Sequence, residues 1–472
     1  MATKHSIKPV KISKVEVTDD KMTGRGGLFF FLRYIENIRF YSLFENYFGF
    51  LKLSGKGLSP IQFIKQLLSF FIDGTDLSLS GFDRRKSDEA YAAVLENSPE
   101  QMASSHQMKR FFRKLIFVPN WVYRKLMFAQ FIWRLHIEKP EIIFLFGDTM
   151  VLDNHDAHKR EGVEPTYKKR KGFHPLQISW GPYLVDAIFR SGSVHGNHEN
   201  DFIKVISRLT HGIRNYYKDV PIILLTDSAF LDEKNFRFLE ERLKINYICT
   251  GKQYADLKEY IQHLPPQAFG LLDHQTQSWR YVEFGNRLKS WSKFRRCIFT
   301  ALETGDNGQM LFEFARTDVF IYTNIGQDDQ LTRKLIQAGG MSYLKAESII
   351  SLCHSRGKSE LNHRSLKEFA TKEQLPFEQF GMNRSYYYFL LITHFLFESY
   401  KHDVTHEVIP IASYPNTFRR QLLDFAAKVI STGGEFILKI NRFIYANLNI
   451  QKLWELSGTP QPIVDIFRCK QL

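Results

Sequence analysis

The chain is 472 residues long with 42 Phe and 21 Tyr, enough for more than one domain and for large aromatic-rich cores. A formal charge of +14 and a pI near 9.3 favour a polyanionic partner, although charge alone does not separate nucleic acid from an anionic membrane. No uncharged apolar run reaches the roughly 18 residues of a spanning helix, and the cysteines at 249, 297, 353 and 469 form no CxxC pair, which excludes a zinc ribbon or disulfide framework and suits a reducing cytosol.

The first 21 residues are polar and lack the apolar centre of a signal peptide. Residues 1–135 read as helical. Ser59-Pro60 ahead of the apolar run 61–72 predicts a helix with a Ser cap and Pro in its first turn. Ser104 and Ser105 likewise open an amphipathic basic helix running to Leu115. Its small polar start and its row of cations suit a recognition helix in a DNA major groove; an ordinary surface helix over the core is the alternative.

From about residue 140 the pattern changes to strands, over 142–151, 176–180 and 183–189, the last two joined by Gly181-Pro182. A helix follows over 198–217, with Phe202, Val205, Ile206 and Leu209 on one face. A strand leading to Asp227, a helix over 232–243 and a strand over 246–250 complete this stretch. Residues 278–284, 295–302, 310–315 and 319–323 read as short antiparallel strands, with turn sequences such as Gly305-Asp306-Asn307-Gly308 between them. Helices resume near 341 and run to about 400. A helix over 417–430, a basic apolar stretch over 435–444 and a tail close the chain.

Two of these strands carry the chemistry. The apolar runs 142–146 and 221–225 lead to Gly147-Asp148 and Thr226-Asp227, so each is followed almost at once by a carboxylate. Such runs read as strands buried on both faces, and ligands of open α/β sheets gather at the carboxyl ends of such strands. One Asp after one strand is ordinarily a turn residue. Downstream, Arg356, Glu360 and Lys367 stand at i, i+4 and i+11 and share one helical face. Alone, that pattern reads as a solvated helix with an Arg–Glu pair. With Asp148 and Asp227 it completes a set of three carboxylates suited to two divalent ions, because oxygen ligands fit hard cations.

The order βββαβαβ is that of a ribonuclease H-like core. Together with Asp148-Thr149, Thr226-Asp227-Ser228 and the Arg-Glu-Lys helix, it makes residues 140–400 resemble a DDE transposase of a bacterial insertion sequence. The resemblance is to the branch with a Tyr-(2)-Arg-(3)-Glu-(6)-Lys signature; Arg356, Glu360 and Lys367 match its spacing, and Cys353 stands at the Tyr position. The resemblance implies an α/β chain with a ribonuclease H-like catalytic core over 136–254 and 339–402, the second part holding the Glu360 helix. A β-rich insertion would occupy 255–338, a helical DNA-binding region 1–135 and a helical region 403–472. It also implies that Asp148, Asp227 and Glu360 are catalytic and hold two Mg²⁺ ions, with Mn²⁺ able to substitute. Water would nick the end of the element, and the freed 3′-OH would attack a second phosphodiester by a cut-and-paste route. The implied partners are double-stranded DNA, both terminal inverted repeats and target, and a second copy of the chain in a homodimer. The implied location is the bacterial cytoplasm, at the nucleoid. A metal-dependent nuclease without strand transfer and a non-catalytic DNA-binding derivative of a transposase are the alternatives.

Arg356 and Lys367 would then grip phosphates near the scissile bond. Lys168, Lys169, Arg170 and Lys171, between the first two strands, would track the DNA backbone with salt-dependent affinity, or simply form a solvated loop. Trp279 and Trp291 lie among Arg280, Arg287, Lys289, Lys293, Arg295 and Arg296, which suits stacking of Trp291 on an extruded base; membership of the β core is the competing reading. His155-Asp156-Ala157-His158 lacks a further ligand at zinc-site spacing, and acyl-transfer chemistry at 192–198, with His195 and His198, lacks support. Tyr386-Tyr387-Tyr388-Phe389 reads as core packing.

Overall fold

The computed structural model describes residues 12, 14–51, 57–76, 78–157, 159–274, 277–304, 309, 317–355, 357–369 and 373–463; the side chains of 274 and 357–360 lie outside the description as well. A short strand β1 (Met22–Thr23) precedes helices α1 (Leu28–Asn37), α2 (Phe40–Phe48), α3 (Pro60–Asp73), α4 (Gly81–Lys86), α5 (Glu89–Val94), α6 (Ser105–Leu115) and α7 (Asn120–Glu138). The caps read from the sequence are in place. Ser59 Oγ accepts the Gln62 N–H while the Gln62 side chain accepts the Ser59 N–H, and Pro60 fills the first helical position, where no N–H is needed. Gly74, at φ +60°, closes α3 in the left-handed conformation that glycine adopts without strain.

The next elements are β2 (Ile143–Thr149), β3 (Leu152–Asp153), β4 (Glu164–Pro165), β5 (Lys171–Phe173), β6 (Leu176–Trp180), β7 (Tyr183–Ile188), α8 (Asp201–Arg214), β8 (Ile222–Thr226), α9 (Glu233–Arg237) and β9 (Asn246–Thr250). The short strands pair among themselves in the order β3-β5-β4. The others form part of a nine-stranded mixed sheet, in the order β7-β6-β2-β8-β9. There β2, β8 and β9 are parallel, and β6 is antiparallel to both of its neighbours. After α10 (Ala255–Gln262), the strands β10 (Gly270–His274), β11 (Gln277–Asn286), β12 (Arg295–Thr304) and β13 (Asp318–Thr323) extend this sheet beyond β9 by antiparallel pairing. The strand expected over 310–315 lies outside the described residues.

The sheet is covered on both faces. Ile143, Leu145, Ile222 and Leu224 enter the larger core, which they share with α7 and with α14 (Phe380–Tyr400). The alternate residues Ile223 and Leu225 pack with Leu335 of α11 (Asp329–Gln337) and with Ile349, Ile350 and Cys353 of α12 (Ala346–Ser355). Between α12 and α14 runs α13 (Gly357–Phe369). Tyr386, Tyr387, Tyr388 and Phe389 are buried in α14, as core packing requires.

The C-terminal part departs from the sequence reading. After α15 (Pro415–Phe418) a π-helical turn carries the chain to Leu423, but the end of the helix expected over 417–430 is instead part of a hairpin, β14 (Ala427–Thr432) and β15 (Glu435–Ile440). Gly433 and Gly434, at φ +60° and +83°, supply the two left-handed positions that a tight hairpin turn demands. β14 also pairs with β1, some four hundred residues away, and that partner is invisible to local periodicity. Helices α16 (Arg442–Asn447) and α17 (Ile450–Gly458) follow. Among the described residues, no helix is long and apolar enough to cross a membrane.

Candidate active site

In the parallel pairing of β2 with β8, Gly147 lies opposite Thr226. One residue further along come Asp148 and Asp227, on neighbouring strands that run about 4.8 Å apart. Asp227 remains extended at φ −90° and ψ 178°, although the ladder ends at Thr226. By the two-residue period, Asp148 continues the face of Phe144 and Phe146, and Asp227 that of Ile223 and Leu225. Both carboxylates therefore issue from one face of the sheet, at the carboxyl ends of adjacent strands. Asp148 accepts the Thr149 N–H at 2.7 Å and Asp227 the Ala229 N–H at 3.0 Å.

A cleft of about 960 Å³ opens at the pair, lined also by Tyr167, Lys168, His363, Arg364, Lys367 and Arg419. Tyr167 sits in the turn between β4 and β5 and is 65% exposed. Its ring lies 5.2 Å from that of His174. Partial desolvation raises the Tyr167 phenol, the charges of Asp148 and Asp227 raise it further, and Lys367 opposes them. One hydroxyl thus senses both carboxylates and the helix facing them. Burial holds His174 below the ordinary imidazole range, against the Val194 carbonyl and Asp227.

The cations of the cleft are engaged. Lys367 pairs with Glu373 at 2.9 Å, and Arg364 meets Glu368 at 3.4 Å and the face of Tyr414 at 4.3 Å. Arg419 donates to the Phe71 and Ile72 carbonyls at 2.9 Å each, tying the end of α3 to the cleft wall. Burial pushes its guanidinium down to about 10. Contacts to α14 and to the β6–β7 turn help to seat helix α13. Ser365 Oγ lies 2.9 Å from His394 Nε2 in α14, and Asn362 donates to the Gly181 carbonyl at 2.7 Å. His394 is driven down to about 3 by burial, with Lys401 adding to the effect.

Asp148, Asp227, Lys168 and Lys367 line this cleft together. Arg356 lies outside the described residues; Glu360 lies in α13 with its side chain outside them. Lys169 is exposed at the hairpin tip with φ +58°, Arg170 pairs with Asp153 at 2.9 Å, and Lys171 is exposed in β5. Cys353, at the position of the signature Tyr, is buried in the second core. His158 is not among the described residues, and within these no three His, Cys, Asp or Glu side chains gather as a metal-binding group.

Trp291 is a correction. It is 5% exposed, with Phe236 at 5.6 Å, Tyr322 at 4.9 Å and the Arg295 guanidinium at 4.9 Å from its ring. Arg295 is itself buried between Glu233 and Glu240. Of the cations that made this segment look like a stacking platform, Arg295 is spent on Glu240 and Glu233, 55 and 62 residues away, and the indole packs in the core. Trp279 is half-buried against His354, with ring centroids 4.1 Å apart.

Sequence reasoning missed Tyr167, His363, Arg364 and Arg419 as cleft residues. Helical spacing from Glu360 gives the signal for the middle two, which follow it at i+3 and i+4. Tyr167 adjoins the Lys168 cluster; nothing in the sequence marks Arg419.

The Transposase DDE domain group 1 family matches residues 7–455. No curated protein matches the chain. Among solved structures the chain is similar to a cryo-EM structure of a piggyBac transposase synaptic complex with hairpin DNA, at 12% identity and a TM-score of 0.37, covering 95% of this chain and 84% of that one. At that TM-score the likeness fixes no residue role.

Proposed function

Since the chain belongs to the Transposase DDE domain group 1 family, we propose that it cleaves the ends of a mobile DNA element and joins them to target DNA, with Asp148, Asp227 and Glu360 as its catalytic carboxylates. The observation that carries this reading is the register that sets Asp148 beside Asp227 at the carboxyl ends of two parallel strands, in a cleft rimmed by Lys168, Arg364 and Lys367. The strand order β7-β6-β2-β8-β9, with β6 antiparallel, supports a ribonuclease H-like core. Helical phase supports Glu360. At about 100° per residue, position 360 falls in the middle of the stripe formed by His363, Arg364 and Lys367, which line the cleft from α13 together with Glu368.

The donor set fits hard divalent ions, because it offers carboxylate oxygens and no thiolate. Asp148, Asp227 and Glu360 would hold two Mg²⁺ ions, or Mn²⁺ in their place. When bound, such ions stabilise the attacking and leaving oxygens of an in-line displacement. Hydrolysis adds water to phosphorus, breaks the P–O3′ bond and leaves a 3′-OH; in the joining step that hydroxyl attacks a target phosphodiester and releases a new 3′-OH. Lys168, Arg364 and Lys367 offset phosphate charge, and Lys367 exchanges Glu373 for phosphate as DNA enters. Terminal inverted repeats and target DNA are the substrates, brought together by a homodimer at the nucleoid of a bacterial cytoplasm.

Nicking of supercoiled plasmid in Mg²⁺, followed by a joining assay with a pre-cleaved end, tests this. Asp148→Asn, Asp227→Asn and Glu360→Gln are each expected to lose both activities by on the order of 10²–10³-fold, the cost of removing one group that stabilises transition-state charge. Wild-type rates in any of the three reject its catalytic role. Nicking without joining would leave a nuclease.

A further inference from the structure

The exposed positions of α6 include His106, Lys109, Arg110, Arg113 and Lys114. They stand at i, i+3, i+4, i+7 and i+8, a single stripe of a 3.6-residue helix. The opposite stripe, Met108, Phe111, Phe112 and Leu115, is buried. Phe63 stacks on Phe111 with centroids 4.8 Å apart, and Phe377 and Tyr386 flank Phe112 at 4.8 and 5.7 Å. The reciprocal Ser104–Gln107 cap fixes the start of the helix, so its orientation is set before any ligand arrives.

Among the described residues, none of these lysines and arginines takes part in an ion pair, whereas Arg85, Arg124, Arg134, Arg295 and Arg296 all do. The acid at the start of the helix, Asp83, is committed to Ser105. It accepts the Ser105 N–H at 2.9 Å and the hydroxyl at 2.6 Å. Ser105 first, with lesser pulls from Lys86 and Lys109, holds its carboxyl below the usual range. Like charges at i and i+4, as in Lys109–Arg113 and Arg110–Lys114, oppose a helix, and a polyanion laid along the stripe relieves that repulsion. Just past the end of α6, Phe117 is 86% exposed, and Trp121, in the first turn of α7, is 60% exposed. None of these residues lines the carboxylate cleft.

We infer that the exposed face of α6 docks the phosphate backbone of double-stranded DNA outside the catalytic cleft. The inference rests on reading the chain as a protein that acts on DNA. An anionic membrane is the weaker partner, since an interfacial helix must offer its apolar face to lipid and that face of α6 is already in the core. At about 1.5 Å per residue the helix spans roughly 16 Å, long enough to follow the wall of a major groove about 12 Å wide.

The test is fluorescence anisotropy with a mixed-sequence 30-bp duplex, without divalent ions, from 50 to 200 mM salt. One variant combines Lys109→Gln, Arg110→Gln, Arg113→Gln and Lys114→Gln. A control with the same charge change combines Lys204→Gln, Lys218→Gln, Lys234→Gln and Lys244→Gln, all at exposed positions. The α6 variant is expected to lose about 10²-fold in affinity at 100 mM salt, with its log–log salt slope smaller by about 3–4, near 0.9 for each phosphate no longer neutralised. The control is expected to stay within about 3-fold with an unchanged slope, and both should keep the wild-type circular dichroism and melting temperature. Equal losses in the two variants, or an α6 variant that binds like wild type, overturn the inference and leave the cleft reading standing. A wild-type chain that binds no duplex defeats both. Loss of binding to anionic vesicles with duplex binding intact reassigns the surface to membrane and overturns the inference.

Discussion

The cleft and the outer face of α6 are both basic, but their cations are held differently. In the cleft, Lys367 is paired with Glu373 and Arg364 with Glu368, while Arg419 is buried against the carbonyls that end α3. Along α6, Lys109, Arg110, Arg113 and Lys114 stand exposed with no acid paired to them among the described residues. Paired cations have fixed positions and a partner to give up, so a phosphate must displace a carboxylate in a defined geometry. Unpaired cations on a rigid helix give affinity with little selectivity. The difference suits a division between a surface that gathers DNA and a cleft that aligns one phosphodiester.

The sharpest break would come at the carboxylates. Asp227→Asn should lower nicking by on the order of 10²–10³-fold while duplex affinity without metal stays within a few-fold; a parallel fall in affinity would mean that the cleft is a gathering surface too. Next is Trp291, whose neighbouring Arg295 belongs with the paired group. Trp291→Ala should cost about 3–5 kcal/mol of stability in urea unfolding with duplex affinity of the folded protein unchanged. A stable variant that binds DNA poorly would restore the stacking role.

The seat of the cleft helix can be probed by pH. His394, at about 3 in the fold against an ordinary 6.5, binds its proton more readily when unfolded. Its contribution therefore makes stability rise with pH between about 3 and 6.5, by up to about 1.4 kcal/mol per pH unit. Buried Glu398, raised from its ordinary value, acts with the opposite sign from about 4.5 upward, so the comparison must be made between proteins. His394→Gln should flatten the wild-type slope across that window; unchanged slopes would show that His394 does not set it. The smallest effect belongs to the Lys367–Glu373 pair. Glu373→Gln should tighten low-salt duplex binding by about 2–5-fold, the scale of a partly exposed ion pair, and weaker binding would show that Glu373 positions Lys367 and does not compete with DNA for it.

Sequence pattern reached some of this directly. The runs 142–146 and 221–225 announced buried strands, and their register makes neighbours of Asp148 and Asp227. The helix that carries Glu360 and Lys367 was legible from spacing alone, whereas Arg356 falls outside the described residues. What stayed hidden depended on distant pairings. The run from Ala427 to Thr432 became a strand because β1 and β15 pair with it, against the local case for a helix. The indole of Trp291 went inward because Glu233 and Glu240 return to take Arg295. Arg419 reached the cleft by ending a helix nearly 350 residues earlier.

The most direct measurement is a change of metal preference at the paired aspartates. In Asp227→Cys, and separately in Asp148→Cys, nicking in Mg²⁺ should fall to the level of the Asn variants, because a thiolate is a poor ligand for so hard an ion. Mn²⁺ should restore a measurable fraction of nicking in the Cys variants and none in Asp227→Asn. Equal rescue of the Cys and Asn variants, or none in either Cys variant with folding intact, would contradict ligation of a divalent ion at this pair.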